Sequence, residues 1–344
     1  MVLARSFILM DAVRKYKAFI YDSKGTNGYN WKVDLPMPKV GSNQVLLKVI
    51  SGGLNPLDYK LPHIGTAKYM INGSPVGSDV CGKVVTVGSG VTSMAVGDTV
   101  FGFGSGCTEY TVVKDTKVVK VPEGAKDVEA YGGLGVAGLT AYQMLKLTGS
   151  FDGPDGKKIL VIGASGGVGS CAIQIARALC PNGTRIFAIC SDRSVEYVKS
   201  IGADEIIDYS KEGFAFSTCV PQKSMDVILD AVSSPDDYNY AAEGMSLLKD
   251  NTGRYIAINS ASKIDLLRMV VWAGTGLNLF RSRYQVMPVV QRTEDLSIVG
   301  RLVHEGKLKL NVQEYVKFEE SAIRRAMDTL AGRRVRGKLI VKVD

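Results

Sequence analysis

The 344-residue sequence predicts an α/β protein with a β-rich domain and a doubly wound parallel-sheet domain, on three observations. From Lys17 to about Val121 the chain reads as short alternating apolar runs cut by turn residues. From about Leu134 onward, apolar runs alternate with helical stripes instead. Between two such elements lies "KILVIGASGGVGS" (158–170), a glycine run that closes a strand and opens a helix.

The strands of the first region are "KAFIYD", "NQVLLKVISGG", "GKVVTVGSGV", "GDTVFGFG" and "EYTVVKDTKVVKVP". Their alternation places one face in a core and the other in water. "GVAGLTAYQMLKLTG" then reads as a linking helix. Lys158–Gly163 is a continuous apolar run, the mark of a strand buried on both faces. The helix after it aligns Val168, Ala172, Ile173, Ala176 and Leu179 on one stripe. Strands follow at 185–190, 205–209, 226–232 and 254–259, with a helix over Val195–Ser200 that stops at Gly202. Such alternation implies right-handed crossovers in one parallel sheet. A last helix over Glu319–Leu330 and the strand "GKLIVKV" return to complete the first domain. The boundaries are thus 1–133, 134–285 and a return segment over 286–344, with residues 1–10 a loose extension.

Composition narrows the function classes. Hydrophobic residues make up 46% and charged residues 22%, ordinary for a globular chain that needs no staples for its core. The net charge is +8, and residues 301–344 carry 11 Lys and Arg against 6 acids, densest at Arg333-Arg334-Val335-Arg336-Gly337-Lys338. A solvated helix end accounts for that cluster, and contact with an anionic membrane surface stays open beside it. No aromatic-interleaved basic motif supports nucleic-acid binding. Six dispersed cysteines without a CxxC argue for a reducing, cytoplasmic compartment, with an organelle or membrane-peripheral location left open. With only His63 and His304, neither in a ligand spacing, no metal site is expected. Leu266–Phe280 is too short and too interrupted to span a bilayer, and the N-terminus lacks a secretory cleavage pattern.

The glycine run sits where a dinucleotide fingerprint must sit, after a strand and at a helix start. Ser165, Gly166, Gly167 and Val168 would cradle the pyrophosphate, and Gly169 would let the helix pack close to its strand. Ala164 occupies the position of the fingerprint's usual first glycine. NAD sites place an acid at the end of the next strand; here that strand ends at Cys190 and continues Ser191-Asp192-Arg193. Ser191 and Arg193 suit a 2′-phosphate, with Asp192 turned to solvent, so the cofactor read from the residues is NADPH.

The order "LNPLDYK", "GSDVCGKVVTVGSGVTSMAVGDTVFG", "VAGLTAYQML", "ASGGVG", "VKSIGADEIIDY" and "RVRGKLIV" resembles the zinc-free, quinone oxidoreductase-like branch of the medium-chain dehydrogenase/reductase superfamily, from about Lys17 to Val343. The resemblance implies a GroES-like β-rich domain, a Rossmann domain and a cleft between them for the nicotinamide. Zinc-dependent members carry Gly-His-Glu where this chain has Gly77-Ser78-Asp79, and they have a four-cysteine lobe that it lacks. A homodimer is the family expectation.

By the same resemblance Asn55, Asp58 and Tyr59 fall in the substrate loop, where an amide and a carboxyl would orient a carbonyl and a phenol would donate a proton or stack. Asn-Pro and Leu-Asp equally favour an ordinary turn. Thr140 and Tyr142, read as the start of the linking helix, match nicotinamide-side contacts or else cap and pack. Tyr209 matches a contact to the 2′-phosphate. Ser233, Asn259 and Ser260 follow strand ends, the ligand edge of a doubly wound sheet. Lys338 matches a cofactor-side lysine or is a solvated strand start. The apolar Leu266–Tyr284 would line the substrate cleft, a dimer interface or a membrane surface, with core packing the simplest use.

The leading expectation is an NADPH-dependent reductase that passes hydride to quinones or α,β-unsaturated carbonyls without a metal. The alternative is an NADP(H)-binding interaction or peripheral-membrane protein with little catalysis.

Overall fold

The computed structural model describes residues 15–212, 214–215, 219–232, 240–259, 267, 271–272 and 282–344. They form two compact units: one runs to Val136 and takes in Gln291–Gly300 and Val312–Asp344, the other holds Ala137–Val290 and Arg301–Asn311.

The first unit opens with an antiparallel hairpin, β1 (Lys15–Thr26) and β2 (Tyr29–Pro36). Asn27 and Gly28 turn it, both at positive φ, as the twist of two flanking strands demands of a two-residue loop. The sheet that carries the candidate site contains β3 (Gln44–Gly53), β4 (Asp79–Val87), β5 (Thr99–Phe103), β6 (Tyr110–Lys114), β7 (Val118–Lys120), β14 (Val312–Lys317) and β15 (Lys338–Lys342). Its order is β14-β15-β3-β4-β5-β7, with β6 paired to β3. Alternate residues Val45, Leu47 and Val49 of β3 pack with Val80, Val84, Val100 and Val113 in one core. Each such side chain contributes roughly 1.5–3 kcal/mol on burial. β15 pairs antiparallel with β3, Ile340 opposite Gly53, so the chain's end lies beside the segment that leaves β3. That segment leads into the short helices α1 (Pro56–Lys60) and α2 (Ala67–Met70).

The helix α3 (Leu134–Leu147) begins in the first unit and continues into the second. The second unit's sheet contains β8 (Lys158–Ile162), β9 (Arg185–Cys190), β10 (Glu205–Asp208), β11 (Val227–Asp230), β12 (Arg254–Ala257) and β13 (Tyr284–Val286). All its pairings are parallel, in the order β10-β9-β8-β11-β12-β13. This is the doubly wound arrangement, with α4 (Gly167–Leu179) and α5 (Val195–Ser200) as crossovers. β8 is buried throughout except at Lys158, as its unbroken apolar run requires.

Beyond the elements read from sequence, the structure has β2, β14, and helices over Tyr240–Leu247 and Thr293–His304. β13 was not anticipated, because three residues carry no period to detect. Within 286–344, residues 286–290 and 301–311 belong to the second unit. There the Gln174 side chain clasps Lys309 as a strand would, accepting its N–H at 2.8 Å and donating to its carbonyl at 3.1 Å. The chain continues through α6 (Thr293–His304), α7 (Glu320–Ala331) and β15. Among the described residues no helix is long and apolar enough to cross a membrane.

Candidate active site

In the second unit the sharp turn after β8 is made by Gly163, at φ +73°. Ala164 follows at negative φ, fully buried, its N–H donating to the Ile189 carbonyl at 3.0 Å. The turn's conformational demand therefore falls one residue before the position expected, and alanine is tolerated at 164 for that reason. Gly169 is required by packing. A Cβ there would stand 2.3 Å from the Gly163 oxygen and 2.8 Å from the Ala164 Cα. Gly166 has only one neighbour so close to an added Cβ, the Gly163 oxygen at 3.4 Å. Ser165, Gly166, Gly167 and Val168 are half-buried, and α4 starts without a side-chain cap. Its first N–H groups are available to an anion, and the open side of Gly166 lets one approach the backbone. These residues fit a dinucleotide pyrophosphate.

At the end of β9, Cys190 is buried and Ser191 nearly so, whereas Asp192 and Arg193 are exposed. Asp192 turns its carboxylate onto the Arg193 N–H at 2.6 Å. Tyr209, exposed, follows β10, and its N–H donates to the Cys190 carbonyl at 3.2 Å, which brings the two strand ends together. A second carboxylate, Asp208, faces Cys190 across this edge; hydrogen bonds from Ser210 hold it below the ordinary carboxylate range. The edge thus offers Ser191, Arg193 and Tyr209 to a phosphate, with both acids engaged by their own neighbours. Asn259 is half-buried after β12. Ser233 and Ser260 lie outside the described residues, as does most of Leu266–Tyr284.

Thr140 and Tyr142 are corrected in position. They sit inside α3 rather than at its start, both buried. Tyr142 packs its ring 5.2 Å from that of Phe151. The start of α3 is held by Asp79, whose Oδ1 accepts the Val136 N–H at 2.6 Å.

In the first unit, Asn55 and Asp58 are brought together with two residues from distant parts of the chain. Asn55 precedes α1 and is buried. Its Nδ2 donates to Asp79 Oδ2 at 2.9 Å and to the Gly53 carbonyl at 3.2 Å, and its Oδ1 accepts from Lys338 Nζ at 2.7 Å. Lys338 Nζ also donates to the Leu54 carbonyl at 2.9 Å and to Asp79 Oδ2 at 3.1 Å. Asp58 Oδ2 accepts the Asn55 N–H at 2.7 Å, and Asp58 Oδ1 accepts from Ser78 Oγ at 2.7 Å. Tyr29 Oη closes the group by donating to the Asp58 carbonyl at 3.0 Å.

The solvated strand start expected for Lys338 is thereby overturned. Its side chain is 4% exposed and that of Asp79 0%. Pairing of β15 with β3 carries the lysine under Leu54, and the three donors of its ammonium meet three acceptors. Asn55 and Asp58 likewise point inward with every side-chain polar atom engaged, so of the three candidates in the expected substrate loop it is Tyr59 that stays half-exposed, packed against the apolar cluster around Tyr29 and Leu54. Burial pushes the Asp58 carboxyl up to about 6; the bonds from Ser78 and Asn55 pull it down, Asp79 raises it, and Lys338 lowers it.

Ser78 and Asp79 were not read from sequence as site residues. One signal was present: "SDVCGKVV" and "RGKLIV" each lead an apolar strand with a charge, and such charges are buried only when paired. Among the described residues no three His, Cys, Asp or Glu side chains are grouped as a metal would require.

Known proteins share the chain's sequence pattern and fold. A family model for zinc-binding dehydrogenases matches residues 201–341, and one for the alcohol dehydrogenase GroES-like domain matches 41–123. A trans-enoyl reductase of Aspergillus terreus is 32% identical over 336 residues, covering 90% of each chain. A chloroplastic NADPH-dependent alkenal/one oxidoreductase of Arabidopsis thaliana is 32% identical over 298 residues, 80% of this chain and 72% of its own. The structure of the quinone oxidoreductase from Coxiella burnetii superposes with a TM-score of 0.79 at 28% identity, over 96% of this chain and 100% of that one. With its β-rich GroES-like unit, its parallel dinucleotide-type sheet and relatives matched along most of its length, the chain is an oxidoreductase of the medium-chain dehydrogenase/reductase superfamily, in the quinone oxidoreductase-like branch.

Proposed function

We propose that the protein is an NADPH-dependent reductase of quinones or α,β-unsaturated carbonyls that works without a metal. The observation that carries this reading is the strand edge at Ser191, Arg193 and Tyr209 beside the open turn at Gly166. It offers neutral and cationic groups to a 2′-phosphate, and its nearest acid is spent on a backbone N–H. The alkenal/one oxidoreductase relative is itself named NADPH-dependent, and the others are named a trans-enoyl reductase and a quinone oxidoreductase.

In this reading Ser165–Val168 and the start of α4 bind the pyrophosphate, and Ser191, Arg193 and Tyr209 bind the 2′-phosphate. Bound NADPH supplies the hydride. Tyr59 holds a proton on Oη for the substrate, aided by its half-exposed position. Asn55 and Asp58 act from behind it, fixing the turn that carries it. The absence of metal participation is supported by the chemistry of positions 78 and 79. Ser78 is tied to Asp58, and Asp79 already faces the ammonium of Lys338.

The reading is tested by following NADPH oxidation against a panel of quinones and enones, with NADH in parallel. Turnover that prefers NADPH is expected. NADPH binding without turnover of any acceptor would leave the fold with a binding role and refute the enzymatic assignment. A second reading, contact with an anionic membrane, rests on the exposed Arg333, Arg334 and Arg336. Salt-sensitive retention on anionic vesicles, lost when all three become alanine, would support it.

A further inference from the structure

The resemblance assigns Lys338 to the cofactor, and the structure gives its ammonium other work. We propose that Asp79 and Lys338 are positioning residues that set the aim of Tyr59 by clamping the turn 54–58, and that Lys338 is not a cofactor ligand. The inference deepens the reductase reading, and only its kinetic arm rests on that reading.

Two distant segments converge on the turn. From β15, Lys338 holds the Leu54 carbonyl and the Asn55 amide oxygen. From the start of β4, Asp79 holds the Asn55 amide nitrogen and Ser78 holds the Asp58 carboxylate. The Asp58 carboxylate returns to the Asn55 N–H, which closes the ring. α1 has five residues, too few to persist on its own. Its direction is therefore fixed by what grips its first residues, and the Tyr59 side chain on it is further held by packing against the apolar cluster of Phe19, Tyr21, Tyr29 and Leu54. All three N–H donors of Lys338 are consumed in that grip, which leaves none for a ligand.

Asp79 has a second tie. One carboxylate oxygen binds Lys338 and Asn55, while the other accepts the N–H of Val136 at the start of α3, the helix that carries Thr140 and Tyr142. A single buried side chain therefore fixes the Tyr59 turn and the origin of α3 together. A carboxylate suits this because it accepts at both oxygens; an amide at the same place would set an N–H donor against Lys338 or against Val136. Buried ion pairs add little net stability and are best attested as devices that select one arrangement.

The test uses Ser78→Ala, Asp79→Asn and Lys338→Met in the full chain. NADPH affinity is read by fluorescence titration, kcat and KM by acceptor reduction, and local opening by amide hydrogen exchange. Expected for each variant is exchange at residues 55–60 faster by about tenfold or more, unchanged at 158–190. NADPH affinity should stay within about twofold, and kcat should fall on the order of 10- to 100-fold at nearly constant acceptor KM. A tenfold loss of NADPH affinity in Lys338→Met with exchange at 55–60 unchanged would make the lysine a cofactor ligand and overturn the proposal. Loss of melting temperature alone, with kcat of the folded protein intact, would overturn it too. Where the two charge variants fail to fold, Ser78→Ala, which removes one hydroxyl, decides by the same readouts. If the native protein reduces no acceptor, the reductase reading falls while the exchange pattern and NADPH affinity still decide the positioning role.

Discussion

Two glycines three residues apart, Gly166 and Gly169, should fail in opposite ways when each becomes alanine. At 169 the new methyl lies 2.3 Å from a backbone oxygen and 2.8 Å from a backbone Cα, against an ordinary contact of about 3.5 Å. No side chain can swing aside, so α4 must retreat from β8 by roughly 1 Å. Overpacking of this kind costs about 1–3 kcal/mol, which in a unit of this size lowers the melting temperature by about 3–10 °C. At 166 the methyl meets one oxygen at 3.4 Å, and its φ of −77° is one that alanine adopts freely. Gly166→Ala should therefore melt within about 1 °C of the native protein, since neither contact nor conformation penalises it. Its methyl nevertheless fills the side from which a pyrophosphate reaches the backbone. Calorimetry with and without NADPH separates the effects. At a hundredfold excess over Kd the native protein gains about 2.7 kcal/mol from ligand, and Gly166→Ala should gain almost none. A native-like NADPH response in Gly166→Ala, or a native melting temperature in Gly169→Ala, would refute the assignment of one glycine to the ligand and the other to packing.

Four further outcomes follow from the geometry. Arg193→Ala combined with Tyr209→Phe should weaken NADPH about 10- to 100-fold, the worth of a charge-assisted bond, and leave NADH binding unchanged in parallel titrations. Tyr59→Phe should lower kcat by about 10²-fold with native NADPH affinity if its hydroxyl delivers the proton, as stopped-flow reduction would show. Asp58 has a folded carboxyl raised to about 6 from 3.8, so protonation favours the folded state. Its contribution to stability is fully present below about pH 4 and is lost as pH rises through 6, about 3 kcal/mol in all. Urea midpoints of Asp58→Asn against the native protein should differ in pH slope across that window and converge in slope outside it. Thiol labelling of the native protein at mildly alkaline pH should mark Cys219, which is exposed, well before Cys180 and Cys190, each pushed up to about 11 by burial.

The residues that could be read from sequence are those whose requirement is local. Gly163–Gly169 is dictated by a strand-to-helix turn seven residues long, and the apolar runs at 158–162 and 185–190 announce buried strands by composition alone. β13 escaped because a three-residue strand has no period, and it is paired only because β12 lies beside it. The linking helix was legible from Gly135 and α3 begins at Leu134, so Thr140 and Tyr142 lie more than a turn inside it rather than at its start. Asparagine before proline was legible as a turn at 55–56, but its side-chain partners were not. They come from β4 and β15, which flank the strand that leads into that turn on opposite sides.

That non-locality bears on how the site can vary. Asp79 and Lys338 are 259 positions apart and within 3.1 Å of each other in a region closed to water. Each charge depends on the other: removing one partner of a buried pair strands the other at a cost of about 3–5 kcal/mol. Asn55 would then lose an acceptor or a donor in the same step, because it bonds to both. Lys338 and Asp79 therefore change at least cost together, by replacement with two apolar groups that fill the same volume, and such a change would release α1 while leaving the sheet intact. A double replacement of that kind that folds well and still reduces its substrate at the native rate would show that Tyr59 needs no such clamp. A double replacement that folds equally well and reduces it slowly would show that the pair is kept for its geometry rather than for stability.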